Sequence, residues 1–276
     1  MPDIRLIALD LDGTVFDDEK RISARTLQAI RAALDRGVDV VPATGRQAGG
    51  IPAEFLQMPG VRYALTANGA SVVELASGRS VVRLPFDDAL AQQVLAAVQP
   101  FGGVIGVFID GACYGDPASA ARVESTCPPA LLPYVRASRQ VVPDMPACLA
   151  AHPGQVEKFS ILYGDAATRD AAWAAVAAAC PGAEITSSVP CNLEVNAPGV
   201  NKGRGLMALA AELGLAPAQV MACGDSGNDL AMIRLAGLGV AMANASPDVL
   251  AAADAVTLDN NHDGVAAAIE TYVLGA

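Results

Sequence analysis

Two carboxylates one residue apart, in Asp10-Leu11-Asp12-Gly13-Thr14, close the first apolar run of the chain. Spaced in this way they leave a strand end in the same general direction, and Gly13 permits a sharp turn that brings backbone amides near a ligand. One carboxylate can attack phosphorus while the other handles a proton, two distinct roles in covalent hydrolysis. Alone, the same segment also reads as a solvated turn rich in Asp and Gly. Thr44-Gly45-Arg46 follows a second apolar run. There a Thr hydroxyl and the backbone amides after it, beginning with Gly45, are neutral donors for a phosphate oxygen, although Thr-Gly often marks only a turn. Lys202 stands at a helix start in Asn201-Lys202-Gly203-Arg204-Gly205, where a lone lysine is ordinarily a surface charge. Gly224-Asp225-Ser226-Gly227-Asn228-Asp229 follows another apolar run. Oxygen-rich side chains on a tight loop suit a hard cation such as Mg²⁺, and the distal glutamate of a calcium EF-hand is missing. A glycine-rich turn with incidental acids is the alternative for this piece taken singly.

The elements that must position these residues alternate strand and helix. Residues 4–9, 38–41 and 63–66 read as buried strands, and 71–75 with 80–84 as a hairpin around Ser77-Gly78. Ser23 caps a helix with Leu27, Ile30 and Leu34 on one face, closed by Gly37. The middle of the chain reads as a helix over 87–98, strands at 104–109 and 112–114, irregular proline-rich connections over 128–153, a strand at 156–163, an alanine-rich helix and a strand near 183–186. Two βαβ-like passages there suggest a compact α/β insert. From Leu193 the core rhythm resumes, with helices at 203–213, 228–235, 247–253 and 265–273 and strands at 220–223, 239–242 and 255–258. The expected fold is α/β, a doubly wound parallel sheet interrupted by an inserted α/β domain. Ligands in such sheets bind at the carboxyl ends of the strands, where the polar clusters fall.

Of 276 residues, 53% are hydrophobic and 17% charged, a globular composition. No apolar run approaches the ~20 residues of a membrane helix, and Asp3, Asp10 and Asp12 interrupt any secretory pattern, so a cytoplasmic protein is expected. The six cysteines form no C-x-x-C pair and read as reduced, mostly buried thiols. A net charge of −11 argues against a nucleic-acid partner and requires that an anionic substrate be attracted locally. No membrane partner is expected, and the chain is expected as a monomer or weak homodimer.

As a set the four clusters resemble the motifs of the haloacid dehalogenase superfamily of aspartate-nucleophile phosphatases, in order Asp10-Leu11-Asp12-Gly13-Thr14, Thr44, Lys202 and Gly224 to Asp229. Asn68-Gly69-Ala70, Leu193-Glu194-Val195 and Gly239-Val240-Ala241-Met242-Ala243-Asn244-Ala245 are similar to the Cof-type branch, in which a type IIB α/β cap is inserted between the second and third motifs. The resemblance implies a core of residues 1–84 and 191–276 and a cap of 85–190, with crossings near Leu84-Pro85 and Pro190-Cys191. The cap would close over the sheet edge and read the leaving group. It implies Asp10 as nucleophile and Asp12 as acid and base, with Thr44, Gly45, Lys202, Asn68 and Asn228 contacting phosphate or substrate. Mg²⁺ would be held by the Asp10 carboxylate, the Asp12 carbonyl and Asp225, with Asn228 and Asp229 supporting it directly or through water. Close carboxylate pairs repel by ~4 kcal/mol at an effective dielectric of 20, which the cation offsets.

The implied reaction is hydrolysis of a small phosphorylated metabolite, a sugar phosphate or similar phosphomonoester. Asp12 must protonate the leaving alcohol, so its pKa is expected to be raised. A phosphosugar mutase of the same fold shares the motifs, and a non-catalytic phosphate-binding module is the alternative from another class. Lys158 reads as a solvent-exposed lysine before it reads as a substrate contact. Cys223 reads as a buried structural thiol, and His262 as the start of the last helix.

Overall fold

Leu6–Leu9 (β1) is four apolar residues with no solvent exposure, as expected of a central strand covered on both faces. The computed structural model describes residues 3–189 and 191–275. The chain divides into two units, one formed by the residues up to Arg83 together with those from Asn201 onward, the other by Leu84–Val200.

In the first unit β1 pairs in parallel with Asp39–Pro42 (β2) on one side and Val220–Gly224 (β12) on the other. Leu238–Ala241 (β13) and Ala255–Val256 (β14) extend the sheet beyond β12, again in parallel, giving the order β14-β13-β12-β1-β2. Chain connections leave β1 toward β2 and β12 toward β13, so the order reverses between β1 and β12, where open α/β sheets place their ligands. Tyr63–Thr66 (β3), Ser71–Glu74 (β4) and Arg79–Arg83 (β5) form a separate antiparallel sheet, with the expected hairpin between β4 and β5. Helices Ala24–Asp35 (α1), Ala53–Leu56 (α2), Lys202–Glu212 (α8), Leu230–Leu235 (α9), Pro247–Ala252 (α10) and Gly264–Ile269 (α11) complete the unit. Ser23 caps α1 by accepting from the Thr26 amide at 3.0 Å, and Ile30 and Ala33 of that helix are buried in a core with Ile7, Leu9, Met221, Val240 and Ile269.

The second unit is a six-stranded sheet in the order β10-β11-β9-β6-β7-β8, made from Val104–Ile109 (β6), Ala112–Gly115 (β7), Arg139–Val141 (β8), Val156–Leu162 (β9), Glu184–Thr186 (β10) and Asn192–Asn196 (β11). Its pairings are antiparallel except β7 with β8, which helical chain joins, and β9 and β10, joined by a helix, run parallel to each other on the two sides of β11, so two β-helix-β passages sit in a mainly antiparallel sheet. Helices Asp88–Val98 (α3), Pro117–Thr126 (α4), Leu132–Ser138 (α5), Met145–Ala151 (α6) and Ala166–Ala179 (α7) belong to it. The proline-rich stretch expected to be irregular holds α5, β8 and α6. Pro133 and Pro146 sit in the first turns of α5 and α6, where the missing N–H costs no helical bond. The strand expected to reopen the core at 193 is β11, which pairs with β9 and β10, and the second unit therefore runs to Val200. Its other boundary falls between Arg83 and Leu84, and Pro190 of the expected second crossing lies outside the described residues. Among the described residues no helix is long and apolar enough to cross a membrane.

Candidate active site

The register Leu9↔Cys223 brings the carboxyl ends of β1 and β12 side by side, and the Asp10 amide donates to the Cys223 carbonyl at 3.1 Å. Two loops distant in sequence, 10–14 and 224–229, thereby meet. Gly13 has φ +89°, and a Cβ there would lie 2.4 Å from an Asp225 carboxylate oxygen, so only glycine lets the two loops approach this closely. Thr14 completes the junction by donating its hydroxyl to Asp225 Oδ1 at 3.1 Å.

Lys202, the first residue of α8, is fully buried and donates from Nζ to Asp10 Oδ1 at 2.5 Å and to Asp229 Oδ1 at 2.7 Å. The helix start is set by Asn201, whose side chain accepts from the Arg204 amide at 2.9 Å. It is pressed against the 67–69 loop, because a Cβ on Gly69 would stand 2.3 Å from the Asn201 carbonyl oxygen. Asp229 Oδ2 accepts from the amides of Asp225 and Ser226, both at 3.0 Å, so both carboxylate oxygens of this buried residue are engaged. Oxygens of Asp10, Asp225 and Asp229 all lie within 4.8 Å of one another.

The electrostatics of this cluster are unbalanced. Burial first, and then the Asp229 and Asp225 carboxylates, push the Asp10 carboxyl well above its ordinary range against the pull of Lys202. Burial, followed by Asp229, raises Asp225 to about 7 despite the Thr14 hydrogen bond. Burial works against a charged Lys202, but Asp10 and Asp229 outweigh it and hold the ammonium firmly protonated. Three carboxylates against one ammonium leave two formal negative charges, and their oxygen donors match a hard divalent cation in charge and in chemistry. Asp10 and Asp225 each keep one carboxylate oxygen outside these hydrogen bonds, whereas both oxygens of Asp229, the third member of the cluster, also accept from Lys202 or backbone amides.

Asp12 has different company. Arg46 grips it with Nε at 3.0 Å and Nη2 at 2.7 Å, and Lys20 Nζ reaches Oδ1 at 2.9 Å. Burial would raise its pKa, but Arg46 and Lys20 together prevail and lower it. The expectation of a raised pKa is therefore corrected: in this arrangement Asp12 is held ionised by a guanidinium fork.

Beside Asp10 the backbone continues the sheet pattern, with the Ala43 amide donating to the Leu9 carbonyl at 2.8 Å. Thr44 follows, buried, its Oγ1 accepting from the Arg46 amide at 3.1 Å. With that lone pair used, the hydroxyl proton is the group left to donate. Asn68 lies in a loop where Ala67, Asn68 and Gly69 all have positive φ, and its side-chain oxygen accepts from Asn228 Nδ2 at 3.4 Å.

A haloacid dehalogenase-like hydrolase family model matches residues 7–269. The chain belongs to this family. It is a Cof-type member and a phosphoric monoester hydrolase. It is 33% identical over 274 residues to the 5-amino-6-(5-phospho-D-ribitylamino)uracil phosphatase of Bacillus subtilis, covering 99% of this chain and 97% of that protein. It is also 25% identical over 269 residues to a phosphoglycolate phosphatase of Methanoculleus marisnigri, covering 98% and 97%. Among solved structures, a haloacid dehalogenase-like hydrolase from Bacillus subtilis superposes with a TM-score of 0.84 at 25% identity, covering 98% of this chain and all of that one.

In this hydrolase the fold gathers Asp10, Lys202, Asp225 and Asp229 into one cluster, with Asp12 beside it on the same loop and Asn68 against Asn228. Sequence reasoning gave no role to three residues that shape the site. Thr14 orients Asp225, and Arg46 and Lys20 hold Asp12. The only signal for Arg46 was its place directly after Thr44-Gly45, and Lys20 offered none. Lys158, expected at the surface, is buried and donates to Glu194 at 2.8 Å, on a face of β9 whose neighbour β11 supplies the carboxylate. Cys223 is fully buried, and burial pushes its thiol up to about 12, which suits a structural thiol. His262 is exposed and bonded to Asp259 at 2.7 Å in the turn before α11.

Proposed function

We propose that this hydrolase is a magnesium-dependent phosphatase that transfers the phosphoryl group of a small phosphorylated metabolite to Asp10 and then to water. The observation that carries the reading is the Lys202 ammonium shared between Asp10 and Asp229, with Asp225 close by and two negative charges left over.

A bound Mg²⁺ would be held by Asp10, Asp225 and the backbone carbonyl of Asp12, and would offset charge on the phosphoryl oxygens so that a carboxylate can approach. Lys202 fixes one Asp10 oxygen, which orients the other toward phosphorus. Asp229 positions Lys202 and the 225–226 turn, and so acts through its neighbours rather than on the substrate. Thr44 donates its hydroxyl to a phosphoryl oxygen, assisted by the Gly45 amide, and Asn228 with Asn68 borders the same space. As the Asp10–phosphorus bond forms, the bond to the leaving alcohol breaks and the alcohol takes a proton from Asp12. Asp12 then removes a proton from the water that attacks the phosphoaspartate, freeing Asp10 and inorganic phosphate. Its ionised state beside Arg46 and Lys20 is the form needed for the second half, so proton donation in the first half requires the carboxyl to leave that fork.

The substrate is assigned as a phosphomonoester of a sugar or similar small alcohol. Similarity to phosphatases named for a phosphoribityl compound and for phosphoglycolate supports a small polar leaving group. Leaving-group selectivity is assigned to the second unit. The test is an acid quench during turnover of a sugar phosphate with Mg²⁺, followed by digestion and mass spectrometry. Phosphate is expected on the peptide containing Asp10, lost on treatment with hydroxylamine. Turnover with no phosphorylated Asp10 peptide at any time point would overturn the reading.

A further inference from the structure

Far along the chain from the catalytic loops, the second unit contains a cleft of about 200 Å³ bounded by α4, α5, β7 and β8. Its apolar wall is formed by Ala120 and Val123 of α4, Val135 of α5 and Val141 of β8, and Ser119 and the Glu124–Arg136 ion pair also border it. Val141 is 58% exposed.

Arg139, the first residue of β8, also lines the cleft, and its side chain is half-buried. The sheet is cut away to seat it. A Cβ on Gly106 would stand 2.9 Å from Arg139 Nη2 and 3.0 Å from Nε, so a larger residue at that position would displace the guanidinium. Arg139 Nη1 donates to the Val104 carbonyl over a long 3.4 Å, and the side chain also bonds the Cys113 thiol. Among the described residues no carboxylate pairs with it, whereas Arg136 at the rim is matched by both oxygens of Glu124. The cleft therefore carries one uncompensated positive charge inside a chain of net charge −11.

A guanidinium is charged at every physiological pH and presents a planar fork of donors that fits a carboxylate with two parallel hydrogen bonds. A half-buried one with weak neutral partners still has most of that capacity unused. One fork with apolar walls suits a monoanion that has a short hydrocarbon body. It suits a phosphate dianion poorly, because three charged oxygens would find too few donors and no water-filled wall.

We infer that this cleft is a binding site for a small aliphatic carboxylate, its carboxyl group held by Arg139 and its body packed on Val123, Val135 and Val141. The site is separate from the phosphatase reading and stands or falls without it.

The test is a titration of the full-length protein, with Mg²⁺ present, by sodium butyrate, followed through the valine methyl signals in NMR. Saturable shifts are expected at Val123, Val135 and Val141, with none from 1-butanol and none there from inorganic phosphate. Arg139→Gln should weaken butyrate binding tenfold or more, the scale of a charge-assisted pair, and Arg139→Lys by less because it keeps the charge and loses the fork. If Arg139→Gln does not fold, Ala120→Phe decides: it fills the cleft from an exposed position of α4 and should abolish the shifts. Absence of saturable shifts at these valines overturns the inference. So does an equal response to 1-butanol, a response to phosphate in place of butyrate, or binding that survives both Arg139→Gln and Ala120→Phe.

Discussion

Raising the pH should destabilise the metal-free protein, and the size of the effect follows from the charge imbalance at Asp225. Its carboxyl is held at about 7 in the folded state, against 3.8 when unperturbed. A raised carboxyl pKa means that the folded state binds the proton more tightly than the unfolded chain. The associated stability is complete below about pH 4 and is lost as the pH rises through about 7. Between pH 5 and 8 the difference falls from close to one proton, through one half at about pH 7, toward zero, which at ~1.4 kcal/mol per proton per pH unit amounts to about 3 kcal/mol, with little further loss above pH 8. Asp10, raised in the same direction by burial and by Asp229, adds to the loss. The carboxylates held low, Asp12, Asp17, Asp165, Asp259 and Glu270, have the opposite sign and finish titrating below this window. The assay is urea unfolding in EDTA at pH 5, 6, 7 and 8, repeated with saturating Mg²⁺ and with Asp225→Asn. Stability should fall with pH in EDTA, and the slope should largely vanish with Mg²⁺ and diminish with the amide, which leaves the contribution of Asp10. A flat or rising profile in EDTA would refute the reasoning, as would an undiminished slope in Asp225→Asn.

Asp10→Asn should keep the fold and lose all measurable turnover, because an amide cannot form the phosphoaspartate. Circular dichroism and a p-nitrophenyl phosphate assay check this, with mass spectrometry to exclude deamidation. EDTA should abolish activity and Mg²⁺ restore it, while Ca²⁺ should inhibit, since its larger and looser coordination can engage both Asp10 oxygens and remove the attacking lone pair. Full activity after exhaustive dialysis against EDTA would contradict that expectation. Arg46→Gln removes two charge-assisted bonds from Asp12. It should lower kcat tenfold to a hundredfold, on the order of 1.5–3 kcal/mol. It should also move the alkaline limb of the kcat/KM profile to higher pH, because the first half-reaction needs Asp12 protonated and the carboxyl loses the group that holds it down. An unmoved limb would mean that Asp12 is not the titrating group.

Patterns local in sequence were the legible ones. Strand β3 and the start of β6 fall where their apolar runs placed them, and α1 begins at Ser23, because each depends on propensity, burial and a cap within a few residues. The 10–14 loop, the Thr44 turn and the 224–229 loop were each readable in the same way, as polar clusters after apolar runs, and Lys202 as a cation at a helix start. Pairing between distant segments was not. The β11 segment is five buried residues with nothing in their own sequence to choose between two sheets, and its partners β9 and β10 are what assign it to the second unit. In the proline-rich stretch the composition suggested loops, whereas the prolines occupy first turns of helices that tertiary packing completes.

The same division runs through the site. Sequence alone determined which residue types could supply a nucleophile, donors and metal ligands, since these are properties of side chains and their spacing. Only the tertiary structure decided how they are charged and shared. Lys202 is bonded to Asp10, 192 residues away, and to Asp229 at once. Arg46 and Lys20 lower the pKa of Asp12, which its chemistry alone would place higher, and two backbone amides together with Lys202 fix the orientation of the Asp229 carboxylate. Electrostatic energy depends on burial and on distances of a few ångströms, and those are set by the register of β1 with β12 rather than by any stretch of the chain.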